Sequence, residues 1–525
     1  MKTDTLVVGA GLAGVCVALQ ARGSVLLLSP NRLGEDCASD WAQGGIAAAF
    51  DAGDHPQAHA RDTVKAGGGI VDAASARLLS ENIADAVRDL AEIGVPFDRT
   101  DGNGGGFTLG REAAHSHARI VRVGGDGAGH AIMKTLVQAL RRRKHVRVLE
   151  GVHAGDLLLA QGRVVGVLAK DGNGKSVHIH ARRTVLACGG IGQLYRFTTN
   201  PEASRGEGVA MAARAGAALA DMEFVQFHPT AINTGGDPLP LATEALRGEG
   251  AVLLDRHGTR FLRRVHPSGE LAPRDVVARA IYRERKLGPV FLDVRGVENL
   301  SERFTALLQA CRNAGIDPCS EAVSVLPAAH YHMGGIAIDA NGRTSLPGLW
   351  ACGEVASSGC HGANRLAGNS LGEAIVFAKR IAQDCKDEGA DFVRYDPPSV
   401  CYDPPRVRDI PENNPAEDQD IERLRDLMSR YVGIERDESG LHFACRKLLQ
   451  WKRESRPGGR LSNMSTTALL IAVSALQRRE SRGCHFRLDA ATASLPPRRS
   501  VVTLAQAEDI AGQIASVPEE QPLSL

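Results

Sequence analysis

The chain has 525 residues, 43% of them hydrophobic, enough to bury a large core and too long for a single one, so two or three domains are expected. Lys and Arg total 62 against 61 Asp and Glu, so no global charge recruits nucleic acid or an anionic membrane. The 11 cysteines are scattered without a Cys-x-x-Cys pair, which argues against disulfide staples, zinc and cysteine-bound iron–sulfur clusters and for free thiols in a reducing cytoplasm.

Thr5-Leu6-Val7-Val8 reads as a buried strand that enters the loop Gly9-Ala10-Gly11-Leu12-Ala13-Gly14. Residues 12–22 then read as a helix and residues 24–28 as a parallel strand, giving the first βαβ unit of a dinucleotide-binding fold. Glycines at this spacing let backbone approach a pyrophosphate, and the helix N-terminus stabilises its charge. Lys2 followed by apolar residues has the outline of a secretory leader, but Gly9, Gly11 and Gly14 argue against it. No uninterrupted apolar run is long enough for a bilayer, so a soluble, cytoplasmic protein is expected. The acidic residue usual at the end of the second strand is replaced by Ser29-Pro30-Asn31, leaving Ser29, Asn31 and Glu35 as candidates to hold a ribose.

Two later segments read as returns to the same sheet: Thr184-Val185-Leu186-Ala187-Cys188-Gly189-Gly190 and Gly348-Leu349-Trp350-Ala351-Cys352-Gly353-Glu354. Residues 221–332 between them are rich in His, Arg and Pro. After Pro398 a linker punctuated by Pro404, Pro411 and Pro415 leads to helices expected over residues 419–432 and 461–479. The Arg141-Arg142-Arg143-Lys144 cluster reads as a solvated helix end.

Several motifs resemble one flavoprotein family, that of succinate dehydrogenases, fumarate reductases and L-aspartate oxidases. They are Gln226-Phe227-His228-Pro229-Thr230, the run Thr243-Glu244-Ala245-Leu246-Arg247-Gly248-Glu249-Gly250, Leu271-Ala272-Pro273-Arg274-Asp275, and Asn364-Arg365-Leu366-Ala367-Gly368-Asn369-Ser370-Leu371. The resemblance implies an α/β FAD-binding dinucleotide fold at residues 1–221 and 333–400. An α+β capping domain is inserted at 222–332, and a C-terminal helical bundle with a tail fills 401–525. It implies flavin contacts from the glycine loop, from Ser39-Asp40-Trp41-Ala42-Gln43-Gly44-Gly45-Ile46, and from Glu207, Glu354, Ser370 and Leu371. Ala38 stands where membrane-bound relatives carry the flavin-linking histidine, so non-covalent FAD is expected.

A four-carbon dicarboxylate needs at least two placed cationic or donor groups, and arginine's planar fork suits a carboxylate. The resemblance assigns His228, Thr243, Glu244, His330, Arg365 and Gly368 to the substrate site and puts Arg274 at the reacting carbon, as proton carrier or as electrostatic stabiliser. The run Arg111-Glu112-Ala113-Ala114-His115-Ser116-His117 resembles L-aspartate oxidases specifically. Aspartate carries an ammonium at the carbon that is oxidised, and Glu112 can pair with it or help remove its proton. The alternative for Glu112 is a loop salt bridge to Arg111 or Arg119. Some aspartate oxidases have serine at the Gly368 position, so here water or a backbone amide replaces that hydroxyl, or affinity is lower.

The implied reaction is oxidation of L-aspartate to iminoaspartate by hydride transfer to flavin N5, with reoxidation by oxygen or fumarate. The family's setting is the first step of NAD biosynthesis, with a quinolinate synthase consuming the imine. A soluble fumarate reductase or succinate dehydrogenase flavoprotein is the alternative.

Overall fold

Alternation along the first strand (Lys2–Val8) divides the molecule's two largest cores. Leu6 and Val8 face one core and Val7 faces the other, as the two-residue period of a strand requires. The structure, a computed structural model, describes residues 1–100, 105–387, 415–490 and 496–517. The linker expected at Pro404 and Pro411 lies outside the described residues.

The first strand is central in a seven-stranded sheet. On one side it pairs in parallel with Val25–Ser29, which pairs with Val146–Glu150. On the other it pairs in parallel with the long strand Ser176–Leu186, whose first half also carries an antiparallel extension, Arg163–Lys170 and His153–Ala160. The second half of that long strand instead accepts Leu349–Ala351 in parallel. Three strands far apart in sequence therefore end side by side, each followed by glycine: Gly9, Gly189 and Gly353. The glycine-loop helix runs over Leu12–Gln20, two residues shorter than expected, because Ala21 leaves helical geometry.

A separate core, from Ile232 to Val325, lies under a four-stranded antiparallel sheet in the order Val225–Ile232, Val323–His332, Val290–Asp293, Val252–Leu254. The helices Glu244–Gly248 and Arg274–Arg285 pack here, and Asp126 of the first region accepts from the Ala306 and Leu307 amides at the start of the helix Thr305–Asn313. That carboxylate satisfies otherwise orphaned N–H groups and complements the helix dipole.

The C-terminal helices Pro415–Tyr431, Glu438–Glu454, Arg460–Gln477 and Leu504–Ala515 share a core with one face of the parallel sheet. Arg460–Gln477 is buried from Leu461 to Leu476 and so is a central rather than an amphipathic helix. The helix expected over 419–432 starts earlier, at Pro415, and ends at Tyr431, where a Cβ on Gly433 would meet the Ser429 carbonyl at 2.3 Å. Among the described residues no helix is long and apolar enough to cross a membrane.

Candidate active site

The three glycine-terminated strand ends open into a cavity of about 480 Å³ that runs from the glycine loop to the His228–Arg274 region. Its near end fits the pyrophosphate half of a dinucleotide. Gly9 has φ +107°, and a Cβ there would lie 2.2 Å from the Ala187 carbonyl oxygen, so only glycine lets the strand and loop close up. Gly14 lies outside the cavity wall; a Cβ on it would strike the Gly9 carbonyl at 1.9 Å, so its work is helix-to-strand packing. The Ser39 hydroxyl accepts the Leu12 amide at 3.1 Å at the start of the glycine-loop helix.

Ser29, Asn31 and Glu35 all line the cavity, with Asp36 beside them, and the Asn31 side-chain amide donates to Asp36 at 2.9 Å. Ser39, Trp41, Ala42, Gln43, Gly44 and Gly45 form one wall, with Ala38 next to them. Asp40 instead turns outward to His130 (3.0 Å), and Ile46 is buried in a short strand pairing with Val121, so neither lines the cavity. Glu207, Glu354, Ser370 and Leu371 do. Glu354 accepts the His332 amide at 2.9 Å, and burial raises its carboxyl pKa to about 7. A Cβ on Gly190 would overlap this carboxylate at 2.1 Å. Gln43 Oε1 and Arg365 Nε are buried on the cavity wall without hydrogen-bond partners among the described residues. Orphan polar groups, a glycine cradle and a buried acid suit a polar, phosphate-bearing ligand such as FAD.

The far end gathers residues from positions 112 to 368 into one wall: Glu112, His228, Thr243, Glu244, Arg274, His330, Arg365 and Gly368. His228 Nδ1 accepts the Thr230 amide at 3.2 Å, which leaves Nε2 as its donor. His330 Nδ1 lies 2.9 Å from the Thr199 hydroxyl, and the two imidazoles meet edge to face at 5.1 Å. Burial, then neighbouring cationic groups, hold both histidines well below their usual pKa, so they are neutral donors.

Arg274 opens the helix Arg274–Arg285. Its Nε bonds Glu244, and its Nη1 donates to Gln226 Oε1 at 3.0 Å. Gln226 is fixed in turn by donating to Asn364 Oδ1 (2.7 Å) and to the Arg365 carbonyl (3.2 Å). Arg247 lies 3.6 Å from the other Glu244 oxygen, a consequence of i,i+3 spacing on one short helix. Burial opposes charge on Glu244, but Arg274 and Arg247 outweigh it and lower its pKa. The result is a continuous Arg247–Glu244–Arg274 chain ending at the cavity. Gln226 and Arg247 sit inside motifs quoted from the sequence, yet only the fold shows what they touch.

Glu112 faces this cluster. Burial and the Glu244 charge raise its pKa, while Arg274, Arg365 and Arg122 act against them. Neither salt bridge considered for it forms: Arg111 donates to the His115 carbonyl, and Arg119 is held by Asp54 and Asp62. His115 braces the loop from behind through the Ala367 carbonyl at 2.9 Å. Thr243 caps its helix through Ala245. Gly368 has φ +76°, and a Cβ would meet Ala47 and Ile120 atoms below 3.0 Å, so this backbone excludes a serine as well as lacking its hydroxyl.

Residues 4–371 match the FAD binding domain family, and residues 457–501 match the fumarate reductase flavoprotein C-terminal family. The L-aspartate oxidase of Caulobacter vibrioides is 48% identical over 95% of this chain and 96% of its own length. That of Agrobacterium fabrum is 43% identical over 98% and 96%. The chain belongs to the L-aspartate oxidase family. Other solved flavoproteins share the fold. An E. coli quinol fumarate reductase superposes with a TM-score of 0.83 at 27% identity, covering 96% of this chain and 94% of that one. A Mycobacterium smegmatis Sdh1 structure gives 0.78 at 30%, covering 96% and 94%. FAD is the cofactor of this L-aspartate oxidase family member.

Proposed function

We propose that the chain oxidises L-aspartate to iminoaspartate in the cavity described above, and that Glu112 is what selects an amino dicarboxylate. The observation that carries this reading is that Glu244 is paired with Arg274 and Arg247, whereas Glu112, beside Arg274, Arg365 and two neutral histidines, makes no ion pair among the described residues. Cationic groups satisfy the two substrate carboxylates, and Glu112 is left for the ammonium.

Arg365, with donors from His228 and His330, holds the carboxylates and aligns C2 with the flavin end of the cavity. FAD, when bound along the wall from Gly9 to Leu371, supplies the two-electron acceptor for the C2 hydride. Glu112, with its raised pKa, takes one proton from the ammonium as the C2 hydride leaves, which gives the iminium; loss of a second proton to solvent gives the neutral imine. Arg274 stabilises charge developing at the adjacent carbon. Through Glu244 and Arg247 it can also carry a proton there, the direction needed when fumarate is the acceptor and is reduced to succinate. Oxygen is the other acceptor. A fumarate reductase activity therefore accompanies the oxidase activity on the same side chains.

The role is the first step of NAD biosynthesis in the cytoplasm, with a quinolinate synthase taking the unstable imine. The test is anaerobic mixing of the yellow protein with L-aspartate and, separately, with succinate. Bleaching of the flavin band by aspartate and not by succinate is expected; bleaching by succinate alone would overturn the oxidase reading.

A further inference from the structure

Arg365 is held in an unusual way for a residue that must grip a carboxylate. Its Nη1 makes one long hydrogen bond, to the Ser370 hydroxyl at 3.3 Å, and its buried Nε has no hydrogen-bond partner among the described residues. Burial and the nearby Arg274 charge lower its pKa to about 10. What positions the guanidinium is the ring of Tyr331, whose centroid lies 4.6 Å from its central carbon. A cation over an aromatic face is drawn to the ring's negative side, and the attraction grows when both are desolvated.

Behind Tyr331 lies a buried polar cluster that the reaction does not use. The Tyr331 hydroxyl is 3.2 Å from His361 Nε2 and donates to Glu373 Oε2 at 3.3 Å. His361 Nε2 meets the same Glu373 oxygen at 2.8 Å, and its ring stands edge-on to Tyr331 at 5.3 Å. The other Glu373 oxygen accepts from the Ser358 hydroxyl and from the Cys360 thiol at 3.2 Å. Cys360, His361 and Glu373 are bonded to one another within this cluster. Burial opposes a charge on Glu373, but His361 and these donors outweigh it and keep it a carboxylate. Tyr331, its pKa pushed well up by burial, stays a phenol. A phenol donating to a carboxylate gains electron density in its ring, and that strengthens the ring's hold on a cation.

We propose that Tyr331, His361 and Glu373 are positioning residues that act as one unit to fix Arg365, and so set how tightly the site grips its dicarboxylate. The inference rests on Arg365 being a carboxylate ligand. It is separable from the oxidase reading, because it concerns grip and not turnover.

The test uses FAD-loaded full-length protein. Tyr331→Phe keeps the ring and cuts the link to His361 and Glu373, Glu373→Gln removes the charge behind it, and Tyr331→Leu removes the ring. Succinate binding is read from its perturbation of the flavin band, and KM and kcat are measured with L-aspartate. Tyr331→Phe and Glu373→Gln are each expected to raise the succinate Kd and the aspartate KM by about 10-fold, with kcat changed far less. Tyr331→Leu should exceed both, and the Tyr331→Phe/Glu373→Gln double variant should be no weaker than Tyr331→Phe alone. An unchanged succinate Kd in folded, flavin-bearing Tyr331→Phe overturns the proposal even if Glu373→Gln fails to fold. Multiplying effects in the double variant also overturn it. If the parent protein binds succinate but does not oxidise aspartate, the oxidase reading fails and the shifts in succinate Kd still decide this one.

Discussion

Replacing Glu112 by glutamine separates recognition of an ammonium from recognition of a dicarboxylate. The substitution keeps the side chain's shape in the wall shared with Arg274 and Arg365 and removes only its charge. An ammonium about 4 Å from a carboxylate at an effective dielectric near 20 is worth about 4 kcal/mol. The glutamine carbonyl still accepts one hydrogen bond and retains part of this, leaving a loss of about 2–3 kcal/mol, or roughly 30- to 150-fold in kcat/KM for aspartate. Succinate has no ammonium, and for it the carboxylate is only a repulsive neighbour, so its Kd should fall several-fold. The assay is steady-state oxidation of L-aspartate beside succinate titration of the flavin band. The sign of the pH dependence follows from the raised pKa. As pH drops through it, Glu112 protonates and aspartate turnover falls, so the acid limb lies above the ordinary value of 4.5 and vanishes in Glu112→Gln. Equal losses for aspartate and succinate would refute the argument, since they would mean that Glu112 only shapes the loop.

Glu244→Gln breaks the Arg247–Glu244–Arg274 chain, so fumarate reduction, which must deliver a proton, should fall about 100-fold or more, measured by oxidation of pre-reduced flavin on adding fumarate. Glu354 has a folded-state pKa of about 7 against 4.5. Its native form therefore holds the extra proton more tightly, and FAD-free protein should lose about 3 kcal/mol from this group as pH rises from 4.5 through 7. Urea midpoints at pH 5 and 8 should show that slope reduced in Glu354→Gln. With Ala38 at the linking position, acid precipitation and filtration should release all the flavin into the filtrate. Gly368→Ser should lower the thermal midpoint and weaken aspartate binding, because φ +76° and the Ala47 and Ile120 contacts leave no room for a side chain, as melting and KM will register.

The glycine loop was legible because strand, loop and helix are contiguous, and their local periodicities declare them. The far wall of the cavity was legible only through whole motifs. Nothing in spacing says that Glu112, His228, Arg274 and Arg365 meet, because that depends on a sheet that sets His228 beside Ala328 and places a helix start next to it. Asp40 parts from its neighbours for a related reason: in a turn, neighbouring side chains diverge, so Ser39 reaches the helix start while Asp40 meets His130. Arg119 looked like a partner for Glu112 by proximity in sequence, but two aspartates, 54 and 62, claim it from another helix and its approach. Tyr331 gave no sequence signal at all, since its partners 361 and 373 lie across a return to the first sheet.

The cavity wall begins at Val8 and is finished only by Ser370, Leu371 and Ala374, with the separate antiparallel unit emerging in between. A nascent chain still short of residue 371 thus has its pyrophosphate loop but no closed seat for the isoalloxazine. Closure of this wall must wait until about seven tenths of the polypeptide has left the ribosome. Until then the partly formed sheet keeps its central strand ends uncovered, and cofactor binding can stabilise only the chain that has passed this point.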